Sequence, residues 1–193
     1  MEIKPVELIG ERVEICPMEV NHIQELFDAG NTPNIWSYMP IKVQSIEDMR
    51  YLVNGALQAR EQGTEFPFVI FDKDSGEIVG STRFLNISIP NSNLEIGWTW
   101  LSPKVWRTSI NTECKYLLLK HCFEMLGAIR VQLKTDSRNV RSQQAIERIG
   151  AVKEGVLRNH MVMSDGFLRH SVYYSVIDQE WSLVKDKLER MLR

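Results

Sequence analysis

The sequence predicts one α+β domain over residues 1–193, with helices packed on a mixed β-sheet. The chain has 193 residues and is 44% hydrophobic, which suits one large core better than two very small ones. Runs typical of strands alternate with runs typical of amphipathic helices. We find no internal repeat, low-complexity segment or linker in the sequence. These observations favour a single mixed architecture.

Composition narrows the classes of function. The formal net charge is −2, so we expect neither a nucleic acid nor a membrane surface as a general partner. The three cysteines, Cys16, Cys114 and Cys122, form no metal-binding or disulfide pattern, and we interpret them as core thiols of a reducing compartment. The N-terminus lacks the apolar stretch of a signal peptide. We therefore expect a cytoplasmic protein without a metal.

The first third of the chain predicts a strand, a helix, a loop and a second helix, at residues 7–16, 18–29, 31–42 and 45–62. Alternating apolar residues indicate the strand, and apolar residues at helical spacing indicate both helices. Ser45, with an acidic residue three positions later, is typical of a helix N-terminus. Gly30 and Gly63 follow the two helices as stop signals.

Two aromatic residues, Trp36 and Tyr38, lie in the predicted loop. Such residues either line a substrate pocket or cap the core, and the sequence leaves both interpretations open. Phe66, at the start of the next strand, is a third candidate for shaping a substrate pocket.

The middle of the chain predicts an antiparallel meander of three strands, at residues 66–72, 77–87 and 94–101, because short turns join them. The rest predicts a helix, a strand, a helix, a hairpin and a closing helix, at residues 112–126, 130–135, 139–149, 151–177 and from 178 onward. Ser164-Asp165-Gly166 supplies the hairpin turn.

The stretch from Leu94 to Gln143 forms a strand–turn–helix–strand unit. Its turn, Trp106-Arg-Thr-Ser-Ile-Asn-Thr112, combines polar side chains with the start of a helix. Backbone N–H groups at a helix N-terminus can bind an anion, so the turn is a candidate site for a phosphate-bearing cofactor. An ordinary helix cap is the alternative interpretation.

The order of motifs resembles the GNAT superfamily of acyl-CoA-dependent acyltransferases, and within it the RimJ/RimL-type branch. The matching motifs are Glu95-Ile-Gly97, Pro103, Trp106, Thr112-Glu113, Leu126-Gly127, Arg130-Val-Gln-Leu133, Asn139-Val-Arg-Ser142, Ile149-Gly150 and Glu154-Gly-Val-Leu-Arg158. The resemblance implies a GNAT fold, with about six to seven strands in a twisted, mostly antiparallel sheet that is splayed in the middle, and about four helices.

The resemblance also implies direct transfer of acetyl from acetyl-CoA to a primary amine, without a covalent enzyme intermediate. The acceptor is a protein N-terminal amine or a small-molecule amine. A non-catalytic CoA-binding or sensor protein is the alternative. The branch often forms homodimers, although no exposed apolar stripe in the sequence demands one.

The resemblance assigns roles to particular positions. Ser142 matches a serine that protonates the departing thiolate, and Asn139 a position that contacts pantetheine. The alternative for Ser142 is an ordinary residue that faces water in the first turn of a helix that Asn139 caps. The positions implied to bind the cofactor are Trp100, Leu101, Trp106, Arg107, Thr108, Ser109, Ile110, Asn111, Thr112, Asn139 and Ser142. Glu95 is a candidate proton acceptor, or else the partner of Arg83 or Arg130 in a salt bridge.

Two departures from the family pattern raise specific expectations. Arg107, Ser109 and Asn111 stand where the family has glycines or a small residue, and glycine allows the backbone to approach a phosphate closely. Ser109 can serve as well if its φ is negative. Ile146 stands where many members have a tyrosine that acts as general acid, which leaves Ser142 as the candidate acid.

Overall fold

A computed structural model describes residue 1 and residues 3–193. The strands are β1 (Leu8–Ile9), β2 (Val13–Pro17), β3 (Phe66–Asp72), β4 (Glu77–Ser88), β5 (Asn93–Leu101), β6 (Arg130–Asp136), β7 (Val152–Val162) and β8 (Leu168–Ile177). The helices are α1 (Ile23–Gly30), α2 (Pro33–Trp36), α3 (Ile46–Glu61), α4 (Ile110–Lys120), α5 (Val140–Arg148) and α6 (Asp178–Leu192). A π-helical turn, His121–Met125, continues α4.

The strands form one sheet in the order β1-β2-β3-β4-β5-β6-β8-β7. Within the described chain, β5 and β6 are parallel and every other neighbouring pair is antiparallel. The predicted α+β class, the mixed sheet and the β3–β4–β5 meander are therefore confirmed. The described chain has eight strands and six α-helices, slightly more than the six to seven strands and about four helices predicted.

The extra strand arises because the chain turns at Gly10. Gly10 N donates to Val13 O at 2.8 Å, and this turn divides the first predicted strand into β1 and β2. Arg12 N donates to Glu113 Oε1 at 3.1 Å, which ties the turn to α4. A Cβ at Gly10 would lie 2.1 Å from Glu113 Oε1, so any other residue there would have to displace this carboxylate from Arg12 N.

Two further boundaries differ from the sequence prediction. Pro33 occupies the first turn of a short helix, α2, inside the segment predicted as a loop. Helix α4 begins at Ile110, two residues earlier than predicted, with Ser109 at its N-cap. Asn111 and Thr112 therefore belong to the first turn of α4 rather than to the preceding loop.

The sheet opens between β5 and β6. These strands pair over three residues only, Asn93↔Arg130, Leu94↔Val131 and Glu95↔Gln132, and then diverge. A bulge in β5 contributes, since Arg83 pairs with Gly97 but Ser81 with Trp100, and Trp98 takes a φ of +51°. The divergence confirms the predicted splay and creates a cleft lined by polar groups.

Hydrophobic cores lie on both faces of the sheet. Alternate residues of β3 face opposite sides, so Phe68 packs with α4 and α6, whereas Val69 packs with α1 and α3. Cys114 and Cys122 are buried in the first core, and Cys16 is half-buried. Across the described residues, no helix combines the length and the apolar character needed to span a bilayer.

Candidate active site

The cleft between β5 and β6 has a volume of about 870 Å³. It begins at the first turn of α4, passes the bulge of β5 and ends against the loop after α2 and strand β8. Of the residues singled out from the sequence, those lining the cleft are Tyr38, Glu95, Trp100, Leu101, Trp106, Arg107, Thr108, Asn111, Asn139 and Ser142. The structure therefore gathers most of the candidate residues in one place.

Two of the three aromatic candidates lie in the core. Trp36 is 2% exposed, donates from Nε1 to Gly30 O at 2.8 Å and packs on Trp100 at 5.3 Å between ring centroids. Phe66 is buried against Phe68, with ring centroids 5.0 Å apart. The core-capping interpretation thus holds for Trp36, while Tyr38 faces the cleft.

Three cofactor candidates also lie outside the cleft lining. Ile110 is fully buried in the core, because α4 begins there and turns this side chain towards the sheet. Thr112 is buried and accepts from Arg148 Nη2 at 3.2 Å. Ser109 is exposed at the N-cap of α4. The side chains of Ile110 and Thr112 are therefore not available to a ligand in the cleft, although their backbone is.

The turn before α4 is held by its own hydrogen bonds. Trp106 Nε1 donates to Leu101 O at 2.8 Å, and Thr108 Oγ1 donates to Val105 O at 2.7 Å. Ser109 has a φ of −70°, which satisfies the condition stated for it above. Arg107 has a φ of +65°, in the left-handed region that favours glycine. Of the two positions where the family has glycine, only Arg107 therefore carries a conformational cost.

The cleft around this turn is rich in positive charge, which comes from the turn itself and from α5. Arg107 and Arg148 line the cleft, and Arg141 lies over the Trp106 ring, with its guanidinium carbon 4.0 Å from the centroid. Within the described residues none of these three arginines forms a salt bridge. The N-terminus of α4 adds the partial positive charge of its free N–H groups. The arrangement is suited to an anionic ligand.

Substituting glycine at the two positions should have opposite effects on stability. Arg107→Gly should raise the free energy of unfolding by about 1 kcal/mol, because glycine adopts a positive φ without strain. Ser109→Gly should lower it by about 0.5 kcal/mol, because the φ of Ser109 is already ordinary and glycine makes the unfolded chain more flexible. Urea unfolding of both variants measures the two changes. Destabilisation by Arg107→Gly would contradict this explanation.

Glu95 lies where β5 and β6 begin to diverge, and it is 1% exposed. Its Oε2 accepts from Gln132 Nε2 at 2.7 Å and from Asn86 Nδ2 at 2.9 Å, and Lys134 Nζ lies 3.2 Å from Oε1. The partner expected from the sequence was Arg83 or Arg130. That expectation is wrong, because Arg83 pairs with Glu65 and Arg130 with Glu154.

Lys115 is a cleft residue that the sequence reasoning missed. It is 6% exposed, its Nζ donates to Thr99 Oγ1 at 2.7 Å, and burial lowers its pKa. Among the described residues it forms no salt bridge. A signal was present, because Leu118, Leu119 and Cys122 follow it at helical spacing, which places Lys115 on the apolar face of α4.

Ser142 lies in the first turn of α5 and lines the cleft. Its backbone N–H donates to Asn139 Oδ1 at 3.0 Å, so Asn139 is the N-cap of this helix, as predicted. The Ser142 hydroxyl has no hydrogen-bond partner within the described residues. Ile146, one turn later, is 7% exposed and supplies only an apolar surface.

The opposite end of the cleft holds charged residues that the sequence reasoning did not identify. Asp136 is 1% exposed and accepts from Arg138 Nη2 at 2.7 Å and from Arg138 Nε at 3.0 Å. Burial opposes ionisation of Asp136, but these hydrogen bonds outweigh it and hold its pKa below the ordinary value. Arg169 is 6% exposed and donates from Nη1 to Tyr38 O at 3.3 Å.

Comparison with known proteins shows which family has this fold and cleft. A family model described as an acetyltransferase (GNAT) domain matches residues 12–152. The chain belongs to the GNAT acetyltransferase family. The GNAT fold and an acyltransferase activity predicted from the sequence are thereby confirmed.

Individual relatives agree with the family model. The ribosomal-protein-serine acetyltransferase of Escherichia coli (strain K12) is 26% identical over 176 residues, which cover 89% of this chain and 97% of that protein. Its similarity supports the RimJ/RimL-type branch of the GNAT family. A solved structure of a GCN5-related N-acetyltransferase from Brucella melitensis gives a TM-score of 0.93 at 26% identity, covering 99% of this chain and 87% of the other. An acetyltransferase structure from T. thermophilus reaches 34% identity and a TM-score of 0.90, covering 100% of both chains.

Proposed function

We propose that the protein transfers an acetyl group from acetyl-CoA to a primary amine, either at a protein N-terminus or on a small molecule. The observation that carries this proposal is the continuous cleft of about 870 Å³, which joins a cationic helix N-terminus to Glu95 and Ser142. A cofactor with phosphates at one end and a thioester at the other suits such a cleft.

In this proposal the cofactor is bound along the full cleft. The pyrophosphate interacts with the backbone of Thr108 and the N–H groups at the start of α4, and with the side chains of Arg107 and Asn111. The pantetheine arm follows β5 past Trp100 and Leu101, whose strand has no partner on the β6 side beyond Glu95 in the described structure. Asn139 and Ser142 then lie near the thioester, because α5 forms the opposite wall.

The reaction needs three contributions from the protein: stabilisation of an oxyanion, a proton donor and a proton acceptor. The amine nitrogen attacks the thioester carbon, and a backbone N–H of β5 near Trp100 stabilises the oxyanion that develops. The carbon–sulfur bond then breaks, and the Ser142 hydroxyl gives a proton to the departing thiolate and takes one from water in its place. Glu95 takes the proton of the amine through water, since its Oε1 has lone pairs beyond the contact with Lys134.

The charged residues that line the cleft restrict the class of amine acceptor more than the fold alone does. The relative from Escherichia coli, a ribosomal-protein-serine acetyltransferase, supports a protein acceptor. However, a basic ribosomal tail would favour an acidic rim, whereas the charged lining residues away from the phosphate end include two cations, Lys134 and Arg169, beside two carboxylates, Glu95 and Asp136, so they give no net negative charge. We therefore favour an acceptor that is not strongly basic.

Acetyl-CoA should bind and stabilise the protein. At a concentration about 100 times its Kd, the ligand adds about 2.7 kcal/mol, which corresponds to a rise in Tm of roughly 5–10 °C for a chain of this size. Differential scanning fluorimetry measures the shift, and pantetheine, which lacks the pyrophosphate, is the matched control with a much smaller effect. No shift at millimolar acetyl-CoA would refute the proposed function. Release of free thiol with an amine present then tests turnover.

A further inference from the structure

The acceptor end of the cleft contains an arginine, Arg169, with guanidinium N–H groups that have no hydrogen-bond partner in the described structure. The Nη1 of Arg169 donates to Tyr38 O, but its Nε is fully buried and has no hydrogen-bond partner in the described structure. Nη2 also lacks a partner among the described residues. Nε and Nη2 form one edge of the guanidinium group, and this edge binds the two oxygens of a carboxylate side by side.

The neighbouring carboxylate does not satisfy Arg169. Asp136 Oδ2 lies 4.0 Å from Arg169 Nε, beyond hydrogen-bond distance. The reason is that Asp136 is already bound through both oxygens by the Nε and Nη2 of Arg138. The Arg138 guanidinium is fixed in turn by stacking on the Phe167 ring, with 3.7 Å between guanidinium carbon and centroid. Arg169 therefore retains a donor edge that the described part of the fold does not use.

The charges at this end of the cleft also favour the binding of an anion. The groups at this end form two close ion pairs, Lys134 with Glu95 and Arg138 with Asp136, and a longer one between Arg169 and Asp136. With Arg169 included, three cations face two carboxylates, which leaves an excess of one positive charge. Arg169 is buried, and it shares its nearest carboxylate, Asp136, with Arg138 instead of having one of its own, which is costly for a buried charge. An additional anion in the cleft would remove that cost.

We propose that the amine acceptor carries a carboxylate and that the guanidinium group of Arg169 binds it, with Nη2, the partnerless nitrogen that is not fully buried, as the first donor. This inference rests on the proposed acetyl transfer and specifies the class of acceptor. A carboxylate supplies one negative charge, equal to the excess, and two oxygens in the plane of the guanidinium edge. A phosphate carries nearly two charges, which exceeds the single positive charge left over at this end.

The position of Arg169 suits this role. It lies on β8, and pairing of β8 with β6 brings it close to the end of β6 at Asp136. Lys134 is two residues before Asp136 on the same strand and contacts Glu95, the proposed proton acceptor. A carboxylate bound at Arg169 would thus hold the amine of the same molecule on the side of the cleft where Glu95 lies.

The test compares acceptors that differ only in the carboxylate. Purified protein with acetyl-CoA receives amino acids, ω-amino acids and short peptides, each paired with its amide, at equal concentrations of neutral amine. Peptides with Asp or Asn at the second position cover carboxylates near a protein N-terminus, and phosphoethanolamine covers phosphate. Free-thiol release gives kcat and KM. We expect kcat/KM to favour the carboxylate partner by at least about tenfold.

Two variants connect this preference to Arg169. Arg169→Gln should abolish it, mainly by raising KM for the carboxylate acceptor, so that kcat/KM falls more for the acid than for its amide. Arg169→Lys keeps the charge but not the paired donors, so it should retain only part of the preference. Arg158→Gln, on the exposed face of the same hairpin, is the matched control and should change nothing. Circular dichroism verifies that each variant is folded.

A binding measurement separates failure of this inference from failure of the proposed function. Calorimetry on the CoA-bound protein records whether carboxylate acceptors bind and whether Arg169→Gln abolishes that binding. Acetylation of acids and amides at equal rates, or preference for phosphoethanolamine, overturns the inference and leaves acetyl transfer standing. Arg169-dependent binding of carboxylates without any acetylation refutes acetyl transfer and supports the carboxylate site. Absence of carboxylate binding together with absence of acetylation of every acceptor in the panel overturns both.

Discussion

Replacing Ser142 by alanine should lower kcat about 100-fold and leave the Kd for acetyl-CoA nearly unchanged. The departing thiolate needs a proton, and the Ser142 hydroxyl lines the cleft without a hydrogen-bond partner in the described structure. Ile146 cannot replace it, because it carries no ionisable group. Helix α5 should be preserved, since Asn139 binds the backbone N–H of Ser142, which alanine retains.

Steady-state kinetics and calorimetric titration with acetyl-CoA measure the two quantities. Ser182→Ala is the matched control, because Ser182 is an exposed helical serine on α6, outside the cleft lining. It should leave kcat, Kd and Tm essentially as they are. If Ser142→Ala weakens cofactor binding as much as it slows turnover, Ser142 supports the cleft rather than the chemistry.

Local sequence patterns predicted the strands and helices well. The apolar runs of β3, β4 and β5 and the short turns between them are sufficient to specify a meander. The Asn139 cap of α5 was also predicted, because asparagine accepts from the backbone N–H three residues later. Both features depend on residues close together in the chain.

Partners brought together by strand pairing could not be predicted. Glu95 pairs with Lys134 because Glu95 lies opposite Gln132, and the side chain two residues further points to the same face. Arg169 approaches Asp136 because Ser171 lies opposite Asp136. Without the register of the strands, the sequence offers Arg83, Arg130 and Lys134 equally as the salt-bridge partner of Glu95. The register alone selects Lys134.

Glu95→Gln should lower kcat about 100-fold or more, because glutamine cannot accept the proton of the amine. The same change should also destabilise the protein, since Glu95 is buried and balances the charge of Lys134. Removing one partner of a buried ion pair costs about 3 kcal/mol, because the other charge is left uncompensated. A single variant therefore does not distinguish a chemical role of Glu95 from a structural one.

A double-mutant cycle makes that distinction. Lys134→Met should destabilise the protein by a similar amount, because it leaves Glu95 buried without its cation. The double variant Glu95→Gln, Lys134→Met removes both charges, so its free energy of unfolding should recover towards that of the wild type. Its kcat should remain as low as that of Glu95→Gln, because the proton acceptor is still missing. Recovery of kcat together with stability would show that Glu95 holds the cleft open and that water alone accepts the proton.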